Sequence, residues 1–421
     1  NNAIKENNPV IFELLSENGK KIFFPKEGII SQAAQAKGKR INATVGMGMN
    51  DDGTPMHYSS IEQLVSLDPA SVFPYAPTYG LPELRKAWQS ELMRKNPSLA
   101  GPVSLPVVCG GLTHALSTAG RLFVEPDDSI ILPDIFWGNY RLVFSLGLNA
   151  NLATYPAFSG NGYNVQGLEQ QLTAGNEKQI VILNFPHNPT GYSLTREEAA
   201  SITDLLLKQA ESGAKLVVLL DDAYFGLTFE AGLQRESMFA KLAALHENIL
   251  AVKIDGSTKE AFAWGFRVGF ITYGSKNIHN TACRALEDKT AGTVRSTVSS
   301  CSRLSQSLIL AAVHSGSYEK EKEEKFLVLK NRYLKVKRII EDNQDTYSRY
   351  FNPLPYNSGY FMCVKLKEPL NAENIRRVLL DRYDIGVISI GNMLRIAFSS
   401  VAEKDIKYIF ESLYSACRDA S

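Results

Sequence analysis

The chain has 421 residues, and its 45 Lys and Arg side chains nearly cancel its 44 Asp and Glu side chains, leaving a net charge of +1. This length predicts two or three domains with a large core, and the balanced charge argues against nucleic acid or an anionic membrane surface as the main partner. No apolar run approaches the length that spans a bilayer, and the polar first ten residues are unlike a signal peptide, so we expect a cytoplasmic protein.

The cysteines occur singly and in odd number. They occupy positions 109, 283, 301, 363 and 417, without a CxxC pair. This pattern argues against a disulfide framework or a zinc site and indicates a reducing compartment, so no bound metal is expected.

Residues 1–59 are predicted to form an N-terminal arm and part of a small domain. Amphipathic patterns predict helices over Ile11–Leu15 and Ile29–Ala36. An extended run then ends in a Gly-rich loop, where Gly46 and Gly48 allow the backbone to approach a ligand or another strand closely. Taken alone, this segment is more simply a plain loop.

Residues 60–312 are predicted to form a large α/β domain in which helices sandwich a mostly parallel sheet. Several of the apolar runs are continuous, as is typical of strands covered on both faces. Seven runs are the strand candidates: Pro106–Cys109, Ser129–Leu132, Asn151–Tyr155, Ile180–Asn184, Lys215–Leu220, Ile249–Lys253 and Val268–Thr272. Because ligands gather beyond the carboxyl ends of such strands, the residues that follow each run are the candidate site residues.

The first candidates follow the first two strands. Gly110 and Gly111 precede a predicted helix over Thr113–Phe123, and a glycine turn at a helix N-terminus can bind phosphate, although an ordinary βα turn needs the same residues. Trp137 and Tyr140 follow the next strand, where an aromatic side chain can stack on a planar ring or simply fill the core.

Polar residues follow the next two strands. Asn188 begins the rigid turn Asn-Pro-Thr-Gly, which places a side-chain amide at the sheet edge. Asp221 and Asp222 end a buried strand, and carboxylates in that setting need a cationic partner or a protonated nitrogen.

A lysine and an arginine lie between the last two strands. Lys259 on a loop between apolar strands can be desolvated, which lowers its pKa and makes the amine a nucleophile toward an aldehyde. Arg267, eight residues later, offers a fixed fork for a phosphate dianion. Two solvated cations on an ordinary turn are the alternative.

Residues 313–421 are predicted to hold an interdomain helix and a smaller α+β domain. A long charge-rich amphipathic helix precedes strands over Tyr360–Lys365, Ile385–Ile390 and Met393–Phe398 and helices over Ala372–Tyr383 and Glu403–Ala416. Arg395 lies in an otherwise apolar strand. An arginine there usually meets a carboxylate, either of its own protein or of a ligand.

Together these residues resemble the fold-type I, pyridoxal-phosphate-dependent aminotransferases of class I/II, the aspartate aminotransferase superfamily. NPTG, D-x-x-Y and K-x7-R occur in the family's order and at strand ends, and the resemblance extends from about Asn42 to Phe398. It implies a large domain with a mostly parallel seven-stranded sheet sandwiched by helices, plus a smaller α+β domain.

The resemblance implies a pyridoxal 5′-phosphate site. Lys259 would form a Schiff base with the cofactor and then move the substrate proton. Asp221 would pair with the pyridine nitrogen and keep it protonated, so that the ring accepts electrons. Tyr224 and Asn188 would contact the ring O3′, and Trp137 would stack on the ring.

The resemblance also implies which groups bind the cofactor phosphate. The family's usual S-x-S-K pattern is Gly256-Ser257-Thr258-Lys259 here, so its first serine is displaced or lost. The implied phosphate-binding residues are Arg267, Gly111, Leu112, Thr113, Ser257 and Thr258.

Substrate and partner residues follow from the same resemblance. Arg395 would bind the substrate α-carboxylate, with Asn188 and the backbone at Gly48 nearby. Tyr75 matches a tyrosine that reaches the phosphate in the neighbouring subunit, which implies a homodimer with shared active sites. Arg295 is a candidate for the partner-donated arginine of dicarboxylate-specific members, although its spacing differs, and a surface arginine is the alternative.

The implied function is transfer of an amino group from an L-amino acid to a 2-oxo acid by a ping-pong mechanism, with aspartate, glutamate or aromatic amino acids as the substrates considered. A lyase or decarboxylase on the same fold is the first alternative, since the cofactor site is common to all of them. A cofactor-binding regulator without turnover is a weaker alternative, because the N-terminal arm is short and not basic. A nucleotide-binding enzyme would leave Lys259 and Asp221 unexplained and lacks the usual glycine motifs. The amino donor, the acceptor and the choice between transamination, elimination and decarboxylation stay open.

Overall fold

The computed structural model of the protein describes residues 2, 6, 9–22, 28–64, 67–175 and 177–421. Its first elements are short. They are the helices α1 (Pro9–Leu14), α2 (Glu17–Lys21) and α3 (Ile29–Gln35) and the strand β1 (Ile41–Asn42). Among these described residues, no helix is both long enough and apolar enough to cross a bilayer.

A seven-stranded sheet forms the centre of the large domain, which confirms the fold class predicted from the sequence. The strands in this part of the chain are β2 (Val107–Cys109), β3 (Ser129–Pro133), β4 (Asn151–Tyr155), β5 (Phe158–Ser159), β6 (Gly162–Tyr163), β7 (Lys178–Asn184), β8 (Lys215–Asp221), β9 (Ile249–Gly256) and β10 (Gly269–Gly274). The sheet order is β2-β10-β9-β8-β7-β3-β4, while β5 and β6 form a separate hairpin. Only β10 runs antiparallel to its neighbours, so the carboxyl ends of six strands share one edge.

Helices cover both faces of this sheet. They are α4 (Ser59–Glu62), α5 (Pro69–Val72), α6 (Pro82–Lys95), α7 (Leu112–Phe123), α8 (Val165–Thr173), α9 (Arg196–Glu211), α10 (Met238–Leu242), α11 (Ser257–Glu260), α12 (Asn280–Thr297) and α13 (Arg303–Val313), with a π-helical segment over Arg141–Leu146. Alternate residues of β7 enter two different apolar cores, with Ile180 and Ile182 on one face and Val181 and Leu183 on the other. Burial on both faces explains why this strand reads as a continuous apolar run. The N-terminus of α9 is capped, because Thr195 and Glu198 form a capping box.

A second, smaller sheet follows a long connecting helix. The elements of this part are α14 (Tyr318–Asp342), α15 (Gln344–Tyr347), β11 (Phe351–Pro353), β12 (Met362–Leu366), α16 (Ala372–Arg382), β13 (Ile385–Gly386), β14 (Ile388–Ile390), β15 (Met393–Ile396) and α17 (Ile406–Asp419). The order β11-β12-β15-β14 is antiparallel throughout. The prediction of one continuous strand over Ile385–Ile390 is wrong, because β13 leaves the sheet to pair with β1 while β14 pairs with β15.

The N-terminal segment of the described chain packs on this small sheet. Ile41 pairs in parallel with Ile385, and the Ala397 amide donates a 2.9 Å hydrogen bond to the Ala43 carbonyl. The predicted strand that contains Arg395 ends at Ile396, two residues earlier than expected, and a 3₁₀ turn follows at Phe398–Ser400. Residues distant in sequence therefore meet beside Arg395.

Candidate active site

A cavity of about 410 Å³ opens where the carboxyl edge of the large sheet faces the small sheet. Its size falls within the range of small-molecule sites. It brings together ten of the residues that the sequence predicted: Leu112, Thr113, Trp137, Asn188, Asp221, Tyr224, Thr258, Lys259, Arg267 and Arg395. The other lining residues are Ile29, Ala33, Thr44, Val45, Gly46, Asn184, Ala223, Trp264 and Phe361.

Lys259 lies on the single turn of α11, directly after β9. Its Nζ lies 5.0 Å from the centroid of the Tyr224 ring, and no carboxylate of the described residues is within ion-pair distance. Desolvation inside the cavity lowers the pKa of the amine to about 8, Asp221 opposes this shift, and the positive charge of Arg267 adds to it. A substantial fraction of the amine is therefore unprotonated near neutral pH.

The residue after the lysine anchors this turn to the rest of the protein. The buried Glu260 carboxylate is ion-paired with Lys95 of α6 and, at 2.7 Å, with Lys322 of α14. The Tyr58 hydroxyl donates a 2.8 Å hydrogen bond to the Glu260 carbonyl. The turn that carries Lys259 is thus held from both sides.

Asp221 ends β8 and points into the cavity. The Tyr140 hydroxyl donates a 2.5 Å hydrogen bond to its Oδ2, and the Ala223 amide donates a 3.2 Å bond to its Oδ1. Burial raises the pKa of this carboxyl, while the bond from Tyr140 and the charge of Lys259 act in the opposite direction. The oriented carboxylate is well placed to meet a cationic group of a ligand.

The second acid of the pair has a different environment. Asp222 lies 2.6 Å from Lys253 Nζ and accepts a 2.6 Å hydrogen bond from the Ser237 hydroxyl. Lys253 also lies 2.9 Å from Asp255. Asp222 is therefore neutralised by its own protein, and of the two acids only Asp221 lines the cavity.

A close contact between a glycine and an arginine shapes the predicted phosphate site. Gly111 caps α7 with φ +83°, and a Cβ built on it would lie only 2.4 Å from Arg267 Nη2. Arg267 itself has φ +54°, and its Nη1 donates a 3.2 Å hydrogen bond to the Trp264 carbonyl. The first-turn amides of α7 and this guanidinium therefore converge, which is the arrangement that binds anions.

The two hydroxyls beside the lysine differ in position. Thr258 lines the cavity, and its buried Oγ1 has no hydrogen-bond partner among the described residues. Ser257 does not line the cavity; its hydroxyl donates a 3.4 Å bond to the Val268 carbonyl. A ligand oxygen is needed to satisfy Thr258 but not Ser257.

Arg395 is a buried cation that has no carboxylate partner among the described residues. Its guanidinium carbon lies 4.4 Å from the Phe361 ring centroid, its Nη2 donates a 3.0 Å bond to the Thr44 carbonyl, and its Nε is unsatisfied. Burial lowers the pKa of this guanidinium. Of the two possibilities that the sequence left open, a ligand carboxylate is the one that fits.

Asn188 is positioned by a second asparagine. The backbone N–H of Asn188 donates a 2.9 Å hydrogen bond to Asn184 Oδ1, and Asn184 Nδ2 donates a 2.8 Å bond to the backbone carbonyl of Asp221. The buried Oδ1 of Asn188 has no partner among the described residues. Asn184 was not predicted as a site residue, although it is the last polar residue of an apolar strand.

Three other predicted residues lie outside the cavity. Gly48 packs against Met56 and Phe262, and Gly46 lines the cavity in its place. Tyr75 is 89% exposed, and Arg295 is exposed on α12, where its Nη1 donates a 3.0 Å bond to the Ser299 hydroxyl. The roles implied for Tyr75 and Arg295 need a second subunit and stay predictions.

Comparisons with known proteins agree with this geometry. The family described as Aminotransferase class I and II matches residues 47–413. An aspartate aminotransferase of Bacillus subtilis (strain 168) is 27% identical over 254 residues, which are 58% of this chain and 61% of that protein. A probable N-acetyl-LL-diaminopimelate aminotransferase of the same strain is 26% identical over 270 residues, or 64% of this chain and 62% of that protein. The chain thus spans about three fifths of the length of these relatives.

Among solved structures, an aminotransferase from Anaerococcus prevotii DSM 20548 has the same fold. Its TM-score is 0.82 at 22% identity, over 94% of this chain and 98% of that one. At this level of identity the likeness establishes the fold alone.

Proposed function

Because this chain belongs to the class I and II aminotransferases, we propose that it transfers an amino group from an L-amino acid to a 2-oxo acid, with pyridoxal 5′-phosphate as its cofactor. One observation carries the proposal. A single cavity holds a lysine with a lowered pKa, a buried aspartate, an anion-binding turn and a buried arginine that meets no carboxylate in the described part of the chain. Arg395 Nε, Thr258 Oγ1 and Asn188 Oδ1 have no hydrogen-bond partner among the described residues, and a cofactor with an amino acid would supply partners for them.

The residues of the cavity fit the cofactor. Its phosphate suits Arg267, the first turn of α7 and the unpartnered Thr258 hydroxyl, and its ring nitrogen suits Asp221. The ring oxygen suits Tyr224 and the NPTG turn. Once bound, the cofactor supplies an aldehyde carbon for the amino group and a ring that accepts the electrons released at the substrate Cα.

The side chains of this protein then divide the remaining work. Lys259 would hold the cofactor at its aldehyde carbon and, once the substrate amine has displaced it, would take the proton from the substrate Cα, for which a pKa of about 8 is well matched to neutral pH. Asp221 keeps the ring nitrogen protonated, and the Tyr140 hydroxyl fixes the orientation of that carboxylate. Arg395 binds the α-carboxylate with its guanidinium fork and so orients the Cα–H bond.

Absorbance and reduction test this proposal. Purified protein should be yellow, and borohydride reduction should leave the cofactor covalently attached at Lys259. Lys259→Ala should abolish the attachment, whereas Lys276→Ala, which removes an exposed lysine beyond β10, should not. Undiminished attachment in the Lys259 variant would contradict the assignment.

A homodimer with shared sites is part of the proposal. Phe73 and Tyr75 are 84% and 89% exposed on one loop, and Arg303 donates hydrogen bonds to the Ser71 and Tyr75 carbonyls, which fixes that loop. Large apolar side chains presented together favour a protein partner. Sedimentation should give the mass of a dimer, and an active monomer would contradict shared sites.

A cytoplasmic location is also proposed. All five cysteines are unpaired and buried. Unpaired cysteines are typical of a reducing compartment.

A further inference from the structure

We infer that this site accepts L-amino acids with apolar side chains, and that Ile29 and Ala33 of α3 contact those side chains. The inference rests on the proposed function and names its substrate class. The two relatives reported above act, by their names, on acidic or acylated amino acids, so their names do not give this result. It comes from the charges and walls of the cavity.

The charged groups of the cavity are already accounted for. Among the described lining residues, the charged side chains are Asp221, Lys259, Arg267 and Arg395. The first three face the cofactor ring, aldehyde and phosphate, and Arg395 faces the α-carboxylate. A second carboxylate on the substrate would therefore find no counter-charge among the described lining residues, and burying an unpaired carboxylate is strongly unfavourable.

The remaining surface is an apolar wall. We define the wall as Ile29, Ala33, Val45, Trp264 and Phe361, all of which line the cavity. Trp264 carries a buried indole N–H without a partner among the described residues, but this donor is neutral and gives a carboxylate no counter-charge. An aliphatic or aromatic side chain gains free energy by leaving water for such a wall.

Helix α3 is fixed so that one face meets the cavity. Gln32 Nε2 donates a 3.0 Å bond to the Ser389 hydroxyl, and the Ser389 amide donates a 2.7 Å bond to Gln32 Oε1. At the end of the helix, Gln35 Oε1 accepts a 2.9 Å bond from Arg376 Nη2. Ile29 and Ala33 are four residues apart and therefore share a stripe along the helix, and both line the cavity.

One anchor of α3, Ser389, lies on the same small sheet as Arg395. Ser389 belongs to β14, in which the preceding residue Ile388 pairs directly with Arg395 of β15. The group that binds the α-carboxylate and the helix that contacts the side chain therefore belong to one packed unit. Anchoring a substrate at Arg395 sets its distance from Ile29 and Ala33.

The opposing possibility is an arginine donated by a second subunit. Arg295 is exposed in this chain, and its guanidinium donates to the Ser299 hydroxyl. If Arg295 of the partner subunit entered the cavity, dicarboxylates would be preferred. The experiment therefore includes the Arg295→Ala variant.

The test measures single half-reactions by the loss of cofactor absorbance. The wild-type protein is mixed with leucine, phenylalanine, alanine, aspartate or glutamate. Leucine and phenylalanine should react faster than aspartate and glutamate by about tenfold or more, the scale on which a pocket discriminates. Arg295→Ala should leave this order unchanged.

Variants of α3 test the contact itself. Ile29→Ala should slow leucine by about tenfold but leave alanine nearly unchanged, because alanine is too short to reach the helix. Ala33→Arg should move the preference toward aspartate and glutamate. Ile30→Arg is the matched control, since Ile30 is 44% exposed on the same helix, and it should leave the order unchanged.

Binding of carboxylic acids gives a readout that does not need turnover. By calorimetry, 4-methylpentanoate should bind more tightly than glutarate, and Ile29→Ala should weaken only the former. Faster reaction with aspartate or glutamate, or tighter binding of glutarate, would overturn the inference. If no amino acid reacts at all, the proposed function fails, while the order of acid binding still decides whether the wall selects apolar groups.

Discussion

The lowered pKa of Lys259 gives a quantitative prediction for the protein without its cofactor. A pKa of about 8 in place of the ordinary value leaves roughly a quarter of the amine unprotonated at pH 7.5, against about 0.1% for a solvated lysine. We therefore expect Lys259 to react with an acylating reagent roughly two-hundredfold more at this pH than an unperturbed amine of equal access.

The assay is trace acylation across a pH series, with the extent of labelling at the Lys259 peptide read by mass spectrometry. The labelling midpoint should lie near pH 8 in the folded protein. In urea the same peptide should return to the ordinary midpoint near 10.4, because unfolding restores solvation. The unfolded chain thus provides an internal reference.

Two substitutions separate the causes of the shift. Arg267 lowers the pKa of Lys259 and Asp221 raises it, so Arg267→Ala should move the midpoint up and Asp221→Asn should move it down. Lys208→Ala removes a cation that is 74% exposed on α9 and should move nothing. A folded-state midpoint near 10.4, or shifts of the same sign in both variants, would refute the reasoning.

Linkage adds a consequence for stability, and three further predictions concern other residues. Since the pKa of Lys259 is lower in the folded protein than in the unfolded chain, the unfolded chain binds more protons between about pH 8 and 10.5, and the stability of the cofactor-free protein should rise with pH across this window. In urea denaturation below pH 8, Lys259→Met should raise the free energy of unfolding by up to ~3 kcal/mol. Above pH 10.5 the same substitution should have little effect on that free energy. Tyr140→Phe removes a hydrogen bond to a buried carboxylate, worth about 1–3 kcal/mol, so kcat should fall by about tenfold or more while circular dichroism stays unchanged; an unaltered kcat would remove Tyr140 from its positioning role. Gly111→Ala would place a methyl group against Arg267, so on dialysis the Gly111→Ala variant should lose its cofactor more readily than the Gly110→Ala variant. Equal retention of the cofactor by the two variants would contradict the assignment of this turn to the cofactor phosphate. Arg395→Gln should raise KM for the amino acid by about a hundredfold, in line with 2–5 kcal/mol for losing one partner of a buried charge pair, whereas the absorbance of the bound cofactor should persist.

Local patterns predicted most of the large domain. The seven strand candidates all belong to the seven-stranded sheet, because each is an apolar run bounded by turn residues, and such runs need no distant information. The ends of these strands depend also on contacts between strands. The strand before Lys259 continues to Gly256 since β10 pairs with its residues 251–256, a contact that the run of apolar residues does not reveal.

Long-range contacts limited the prediction of the site. The sequence identified both Asp221 and Asp222, but the separation of their roles depends on Lys253, whose partners are set by the neighbouring strand. The contribution of Ile29 and Ala33 could not be predicted, because α3 reaches the cavity only through bonds to Ser389 and Arg376, more than three hundred residues away in sequence. Arg395 was predictable as a cation in need of a partner, but only the structure shows that no carboxylate of the described residues pairs with it.

The interleaving of the two ends of the small domain bears on the order of events during synthesis. The Arg395 guanidinium donates a hydrogen bond to the Thr44 carbonyl across 351 residues of chain, and Ile41 pairs with Ile385, which is made much later in synthesis. A growing polypeptide can complete the large sheet on the ribosome, whereas residues 41–44 must wait for nearly the whole chain. The contact between Thr44 and Arg395 consequently forms after the large sheet, and limited proteolysis of stalled nascent chains should find the segment around Thr44 cleavable until the Arg395 strand emerges.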